Sequence, residues 1–388
     1  MDRAVFGLIG VGGIAQSQHL PNLTRAPHAH LRTVCDLRPD LLARMQAKYH
    51  VPHATTDYRE LLADPEVQAV VVATREDMQA RLTIEALRAG KHVYVEKPLA
   101  ETAEECRAVV DAQKEAGKFV AVGFNRRFAP AYVRAKELAW KDGGPRNIYY
   151  RISDTYVRGW GRNYPPGVRV IHEVCHVFDV LRWLTGSEVA SIYTVASRAD
   201  DEIFTLKFTS GAVAAIMNSG YGTRDLPKER LELISDNGGV TVEEFVELRA
   251  FGYPGAQPVE RFAGHTHPDY EYTHKHLLAK LGAEALFALR RTAWELSQEL
   301  QQVPGGPPLP DSTELAAGDR AERKRFLESG QMWNYMVDKG WLAAIDHFAE
   351  CLLTGARPGT AGPADALAAS LLAHAAIRSR ETGEVVQL

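Results

Sequence analysis

Three places in this 388-residue chain combine residue types and spacings that support chemistry: Gly10-Val11-Gly12-Gly13-Ile14-Ala15 with Asp36 beyond it, Glu96-Lys97-Pro98, and the run from His172 to Asp179. The first follows the apolar run Val5-Phe6-Gly7-Leu8-Ile9. A strand that ends in G-x-G-x-x-A and opens into a helix turns backbone N–H groups toward a pyrophosphate, at the helix end whose dipole favours anions. In that arrangement Gly10 permits the tight turn, Gly12 lets the phosphate approach and Ala15 keeps the helix against the sheet, with Gly13 and Ile14 completing the loop. The same spacing also marks ordinary turns, so the string needs context. A second apolar run, Leu31 to Val34, ends in Cys35-Asp36, and Asp36 lies 21 residues beyond Ala15. Dinucleotide sites place an acid on the adenosine ribose at about 20 residues. Such a carboxylate repels a 2′-phosphate and favours NAD over NADP. Arg38 either works against this, as a partner for a 2′-phosphate, or is a solvated loop arginine.

The second place follows the apolar run His92-Val93-Tyr94-Val95 directly. Ligands of doubly wound sheets lie beyond the carboxyl ends of the strands, which puts Thr74, Glu96, Lys97 and Asn125 along the cofactor edge. A lysine at a strand end is often only a surface charge. Here the fixed φ of Pro98 limits the loop, and the ammonium is aimed at the expected nicotinamide position, so Lys97 is the first catalytic candidate.

In the third place His172 and His176 are spaced i, i+4 and His176 and Asp179 i, i+3, so on a helix all three side chains share one face. His172 to His176 also spells H-E-x-x-H, the string that gives zinc proteases two metal ligands and a general base. No third ligand is evident and a zinc protease has no need of a dinucleotide site, so no metal is expected. The plainest reading is a helix start with polar residues at its exposed end.

Stepping along the chain, apolar patterns alternate between the two periods. Helices are predicted at 40–49, 58–62, 80–89 and 103–116, and strands at 69–73, 92–95 and 119–122. Ala69 to Ala73 is continuously apolar and β-branched, as in a parallel strand covered on both faces. Alternation of this kind gives right-handed crossovers and a doubly wound parallel sheet. From Asn147 onward, strand-like stretches (148–152, 191–196, 203–208, 213–218, 230–234) surround one helix pattern, 174–184.

Composition is that of an ordinary globular protein, 45% hydrophobic and 24% charged, with a net charge of −4. There is no basic block for nucleic acid and no apolar run long enough to span a bilayer. The four cysteines lack C-x-x-C spacing, which leaves a reduced, cytoplasmic setting as the expectation.

The glycine turn, Ala89-Gly90-Lys91-His92-Val93-Tyr94-Val95-Glu96-Lys97-Pro98-Leu99-Ala100, and Gly123-Phe124-Asn125-Arg126-Arg127-Phe128 together resemble the Gfo/Idh/MocA oxidoreductases. The resemblance is dense over residues 1–240 and over the last fifty or so. It implies a Rossmann domain, 1–124, and an α+β domain on an open, mostly antiparallel sheet, 125–388, which supplies substrate contacts and assembles the subunits into a dimer or tetramer. Many members carry D-x-x-x-H on the helix, with the histidine as acid/base; others carry G-E-x-C-H-F-x-D. His176 matches the histidine, His172 stands at the aspartate position, and Glu173, Cys175 and Asp179 match the second pattern. By that resemblance His176 is the acid/base, Lys97 stabilises the developing alkoxide, and Asp179 orients His176 or anchors a sugar hydroxyl. Arg127, Asp154, Tyr156 and His172 are further substrate candidates.

The implied function is an NAD-dependent dehydrogenase of a sugar, inositol or glycoside. The alternatives are a glycosidase that oxidises its sugar transiently through NAD, and a silent dinucleotide sensor. Residues 267–330 depart from the family as a helical excursion or lid.

Overall fold

The computed structural model describes residues 3–222, 226–264 and 337–388, with short stretches between 279 and 291. The departure at 267–330 therefore lies, short pieces aside, outside the described residues. Six strands, β1 (Ala4–Ile9), β2 (Ala29–Cys35), β3 (His53–Thr55), β4 (Ala69–Val72), β5 (His92–Val95) and β6 (Val120–Val122), pair in parallel in the order β3-β2-β1-β4-β5-β6. The order reverses between β1 and β4, and such a switch point opens a crevice at the carboxyl ends. Every residue of β4 is buried, as its unbroken Ala-Val-Val-Val pattern predicts.

The intervening helices are α1 (Leu20–Arg25), α2 (Pro39–Tyr49), α3 (Tyr58–Ala63), α4 (Glu76–Arg88) and α5 (Ala103–Ala116). A wide, π-type turn, Ala15–His19, leads into α1. α4 starts ahead of the predicted Ala80 because Glu76 and Asp77 in its first turn suit the helix dipole. α5 opens on a reciprocal Thr102/Glu105 cap and closes on Gly117 at φ 62°.

After α6 (Pro130–Trp140) the chain builds a nine-stranded sheet from β7 (Asn147–Ser153), β8 (Val189–Arg198), β9 (Asp201–Phe208), β10 (Val213–Ser219), β11 (Glu229–Ile234), β12 (Gly239–Glu243), β13 (Glu247–Phe251), β14 (Val259–Arg261) and the closing β15 (Val386–Gln387). All neighbours are antiparallel except β7 and β10. The sheet is mostly antiparallel, as expected, but β12, β13 and β14 add strands that charged residues had obscured in the sequence. β9 alternates buried and exposed residues, so one face packs inward. Its outer face carries Ile203 between Val195 and Met217, all about half exposed.

The inner face is covered by α7 (Cys175–Thr185) and α9 (Pro363–Thr382), and α9 also packs on α5, joining the two sheets through one apolar core. α8 (Trp341–Thr354) returns to the first sheet. Its Phe348 is fully buried against Phe6 and Tyr94, with ring centroids 6.4 and 6.0 Å away. Burial of such a ring stabilises by roughly 1.5–3 kcal/mol. Among the described residues no helix is long and apolar enough to cross a membrane.

Candidate active site

Gly10 sits at φ 92°, and a Cβ there would lie 2.5 Å from the Ala73 carbonyl oxygen. The turn that follows β1 and passes the end of β4 therefore requires glycine. A Cβ at Gly12 or Gly13 would meet no protein atom within 4 Å. Packing does not demand those two glycines, so the space above them fits a close-lying ligand rather than the protein's own core. Ala15 is fully buried, and Ile14 is half-buried beside it.

Asp36 stands at the tip of β2, where one carboxylate oxygen accepts the Val11 N–H (2.9 Å) and the other the Arg38 N–H (3.0 Å). Burial alone would raise its proton affinity; the Arg38 guanidinium and these N–H groups outweigh burial and hold it below the usual aspartate range. Arg38 thus pairs with Asp36, its Nε 3.1 Å from the carboxylate. Thr74 follows β4, and its carbonyl accepts Gln79 Nε2 at 3.1 Å. Asn125 donates through Nδ2 to the Lys339 carbonyl (2.7 Å), while its buried Oδ1 has no hydrogen-bond partner among the described residues.

Glu96 is buried at the end of β5. One oxygen meets His19 Nε2 at 2.7 Å and the other accepts the Lys97 N–H at 3.1 Å. Its carboxylate fastens the helix after the glycine turn to the lysine loop. The Lys97-Pro98 peptide is cis.

The Lys97 ammonium donates to the His172 carbonyl at 2.7 Å and lies 3.6 Å from the Glu173 carboxylate. That carbonyl is four residues before His176, which places lysine and histidine within one helical turn. His176 is buried with its ring edge-on to Phe124, 5.8 Å between centroids, and its Nδ1 has no partner among the described residues. Burial, then the charges of Arg126 and Lys97, push its pKa well below the ordinary histidine value. Both effects favour the unprotonated imidazole.

His172, His176 and Asp179 meet different partners: His172 lies in a wide π-type turn, Val170–Val174, while His176 and Asp179 follow it in α7. His172 Nδ1 meets the Tyr156 hydroxyl at 3.2 Å, its Nε2 lies 3.8 Å from Glu76, and Tyr164 packs edge-on against the ring. Asp179 is fully buried and both its oxygens accept from Arg127, at 2.9 and 2.5 Å; Arg127 also pairs with Asp365 at 2.9 Å. These two candidates tie α7 to the start of α9 and do not reach His176. Asp154 accepts the Tyr156 N–H (2.9 Å) and pairs with Lys228 (3.0 Å).

H-E-x-x-H does not converge on a metal site. Among the described residues the group close enough to share an ion is Glu76, Glu101 and His172, with ligand atoms within 4.8 Å of one another, and it omits His176.

Sequence reasoning left three groups without a role. Glu173 is buried and faces Lys228 at 2.6 Å, Lys97 at 3.6 Å and Arg126 at 3.7 Å. Arg126 forks onto Glu229 with two 2.7 Å bonds, and Lys339 reaches the same carboxylate at 2.8 Å. Glu76 begins α4. Of these Glu173 carried a signal as the acid inside the histidine string, and Arg126 as part of the Gly123–Phe128 motif.

A parallel sheet with a glycine turn at its switch point is the arrangement of dinucleotide-binding domains. The family model described as an oxidoreductase family with an NAD-binding Rossmann fold matches residues 5–124. An inositol 2-dehydrogenase of Rubrobacter xylanophilus is 31% identical over 261 residues, covering 62% of this chain and 72% of that protein. An uncharacterized oxidoreductase, YrbE, of Bacillus subtilis is 27% identical over 260 residues, 62% of this chain and 74% of that protein. The crystal structure of the WlbA dehydrogenase of Bordetella pertussis, in complex with NADH and UDP-GlcNAcA, superposes with a TM-score of 0.68 over 100% of this chain and 98% of that one, at 20% identity. This chain belongs to the Gfo/Idh/MocA oxidoreductase family.

Proposed function

We propose that the protein is an NAD-dependent dehydrogenase that oxidises a secondary alcohol of a polyol or sugar. The observation that carries this is the Lys97 ammonium bonded to the turn that leads into a buried His176. The inositol 2-dehydrogenase relatives support the substrate class. The Gly10–Ile14 turn, Asp36, Thr74 and Asn125 would hold the dinucleotide, with Asp36 favouring a free 2′-hydroxyl and hence NAD over NADP. When bound there, NAD supplies the hydride acceptor.

The chain's own groups do the rest. His176 takes the hydroxyl proton, since burial and the neighbouring cations favour its unprotonated form. Lys97 stabilises the oxygen as negative charge develops on it and polarises the ketone in reverse. His172 and Tyr156 border the substrate, and Arg127 with Asp179 fixes α7 behind His176. The half-exposed apolar row on the outer sheet face suits assembly with a second copy.

The test is a screen of inositols, aldoses and glycosides with NAD, followed at the absorbance of reduced nicotinamide. NADH accumulation with at least one polyol is expected. Release of a glycosidic leaving group without net NADH would select the transient-oxidation glycosidase instead, and NAD binding without turnover on any polyol would select the silent sensor.

A further inference from the structure

We propose that Glu173 is the positioning carboxylate of this site: it holds the Lys97 ammonium in place and balances its charge. The idea rests on Lys97 acting at the reacting oxygen. Position 172 cannot do this through its side chain, which is engaged with the Tyr156 hydroxyl at 3.2 Å; it offers Lys97 only its backbone carbonyl. The wide turn at Val170–Val174 supplies the geometry. An i→i+5 turn accommodates an extra residue in a helix, and such turns recur at functional sites. Here it lets the carbonyl of one residue and the side chain of the next converge on a single ammonium.

Charge counting supports the assignment. Among the described residues, Glu173 is the only acid within 4 Å of Lys97 Nζ. Around it, Lys228 precedes β11 and Arg126 follows β6, and both point at the same carboxylate. Arg126 is otherwise committed to Glu229 and Lys228 to Asp154. His176 on α7, Glu76 on α4, Tyr156 and Tyr164 against the His172 ring, and Asp200 before β9 also face this turn. Without Glu173, Lys97 would face two cations with no acid in contact. One carboxylate oxygen bonds Lys228 at 2.6 Å and the other faces the Lys97 ammonium at 3.6 Å. The pKa of Glu173 is driven well below the glutamate range, against burial, by Lys228, Lys97 and Arg126 in that order.

The test compares the full-length wild type with Glu173→Gln and with Glu173→Gln/Lys228→Met. Acetylation of Lys97 by acetic anhydride at fixed pH, read by peptide mass spectrometry, reports the charge state of the amine without any substrate. In Glu173→Gln the rate should rise at least about tenfold, a modest share of the attraction exerted by a charge at 3.6 Å in a partly dry site. kcat on the polyol should fall by a similar factor while KM for NAD stays unchanged. Removing the surplus cation in the double variant should reverse most of the acetylation change, which a merely structural role would not do. Wild-type acetylation in Glu173→Gln, or no reversal in the double variant, overturns the proposal. Should Glu173→Gln fail to fold, Glu173→Asp retracts the carboxylate by one methylene, and an intermediate rate is expected; a wild-type rate there also overturns it. Failure to find any polyol substrate would count against the proposed reaction and leave this measurement standing.

Discussion

Replacing Lys97 with methionine removes the cation and keeps a stem of similar length, so the loss can be divided between chemistry and fold. On the chemical side, removing one preorganised oxyanion stabiliser costs about 10²–10³ in kcat, roughly 2.7–4 kcal/mol. On the structural side the loss is smaller. The His172 carbonyl gives up its 2.7 Å bond, but Glu173 retains Lys228 at 2.6 Å and Arg126 at 3.7 Å. No carboxylate is left buried and unpaired, and a single charge-assisted bond to a partly exposed ammonium is worth about 1 kcal/mol. For domains of this size that is about 2–4 °C in Tm. Lys97→Met should therefore bind NAD within about threefold of wild type, melt within a few degrees of it, and turn over polyol at least about a hundredfold more slowly. Steady-state kinetics, NAD titration by intrinsic fluorescence and differential scanning calorimetry measure the three quantities. Undiminished kcat would remove Lys97 from the reaction. A Tm loss above about 10 °C would show that its task is to hold the fold.

Two glycines should separate folding from binding. Gly12→Ala meets no protein atom within 4 Å, so its Tm should stay at the wild-type value while NAD affinity drops at least about tenfold through collision with the pyrophosphate; unchanged NAD affinity would refute the role of the turn. Gly10→Ala combines φ 92° with a Cβ 2.5 Å from Ala73 O, so it should destabilise the fold by about 1–3 kcal/mol as well. Glu229→Gln strips Arg126 and Lys339 of their shared buried carboxylate and should cost about 3–5 kcal/mol by chemical denaturation. The sign with pH follows from the Glu229 pKa, which Arg126 and Lys339, against burial, hold well below the ordinary value. Its contribution is present above about pH 4.3, the unfolded value, and is lost as pH falls toward the folded one. Wild type and variant should therefore converge in stability below about pH 4; a constant gap across that window would count against the depressed carboxylate.

Five of the six strands of the first sheet were legible because their determinants are local; the three-residue β3 was not expected. Four consecutive buried residues in β4, a Thr102/Glu105 cap and a glycine at each tight turn are patterns a single segment can carry. The lysine at the end of β5 was legible for the same reason: a parallel strand points its last residues at the crevice. The third cluster was not, because i, i+4 reasoning assumes a regular helix. One wide turn at Val170–Val174 carries His172, whose ring meets Tyr156, and within α7 Asp179 is engaged by Arg127, a residue distant in the sequence. Which acid meets Lys97 depends on where that turn falls, and on cations from β11 and from the residues after β6, more than forty positions away in either direction. β12, β13 and β14 were obscured by charged residues such as Arg249 and Glu260, whose pairing with Glu247 and Arg134 becomes apparent only in the folded sheet.

The fold also couples the two halves of the site through one carboxylate. Glu96 binds His19 with one oxygen and the Lys97 backbone with the other. His19 ends the wide turn that follows the glycines, so the segment that would face the pyrophosphate and the loop that carries the ammonium are joined by two hydrogen bonds across β1, β4 and β5. Burial would favour the protonated acid, yet His19 and Lys97 hold Glu96 below the usual glutamate range. An ionised carboxylate can accept at both oxygens, and one of them is needed to accept the Lys97 N–H. The spacing between the glycine turn and the Lys97 loop is therefore held by a group that needs no ligand to be in place. Substrate positioning to within a fraction of an ångström demands such support from residues that never touch the substrate.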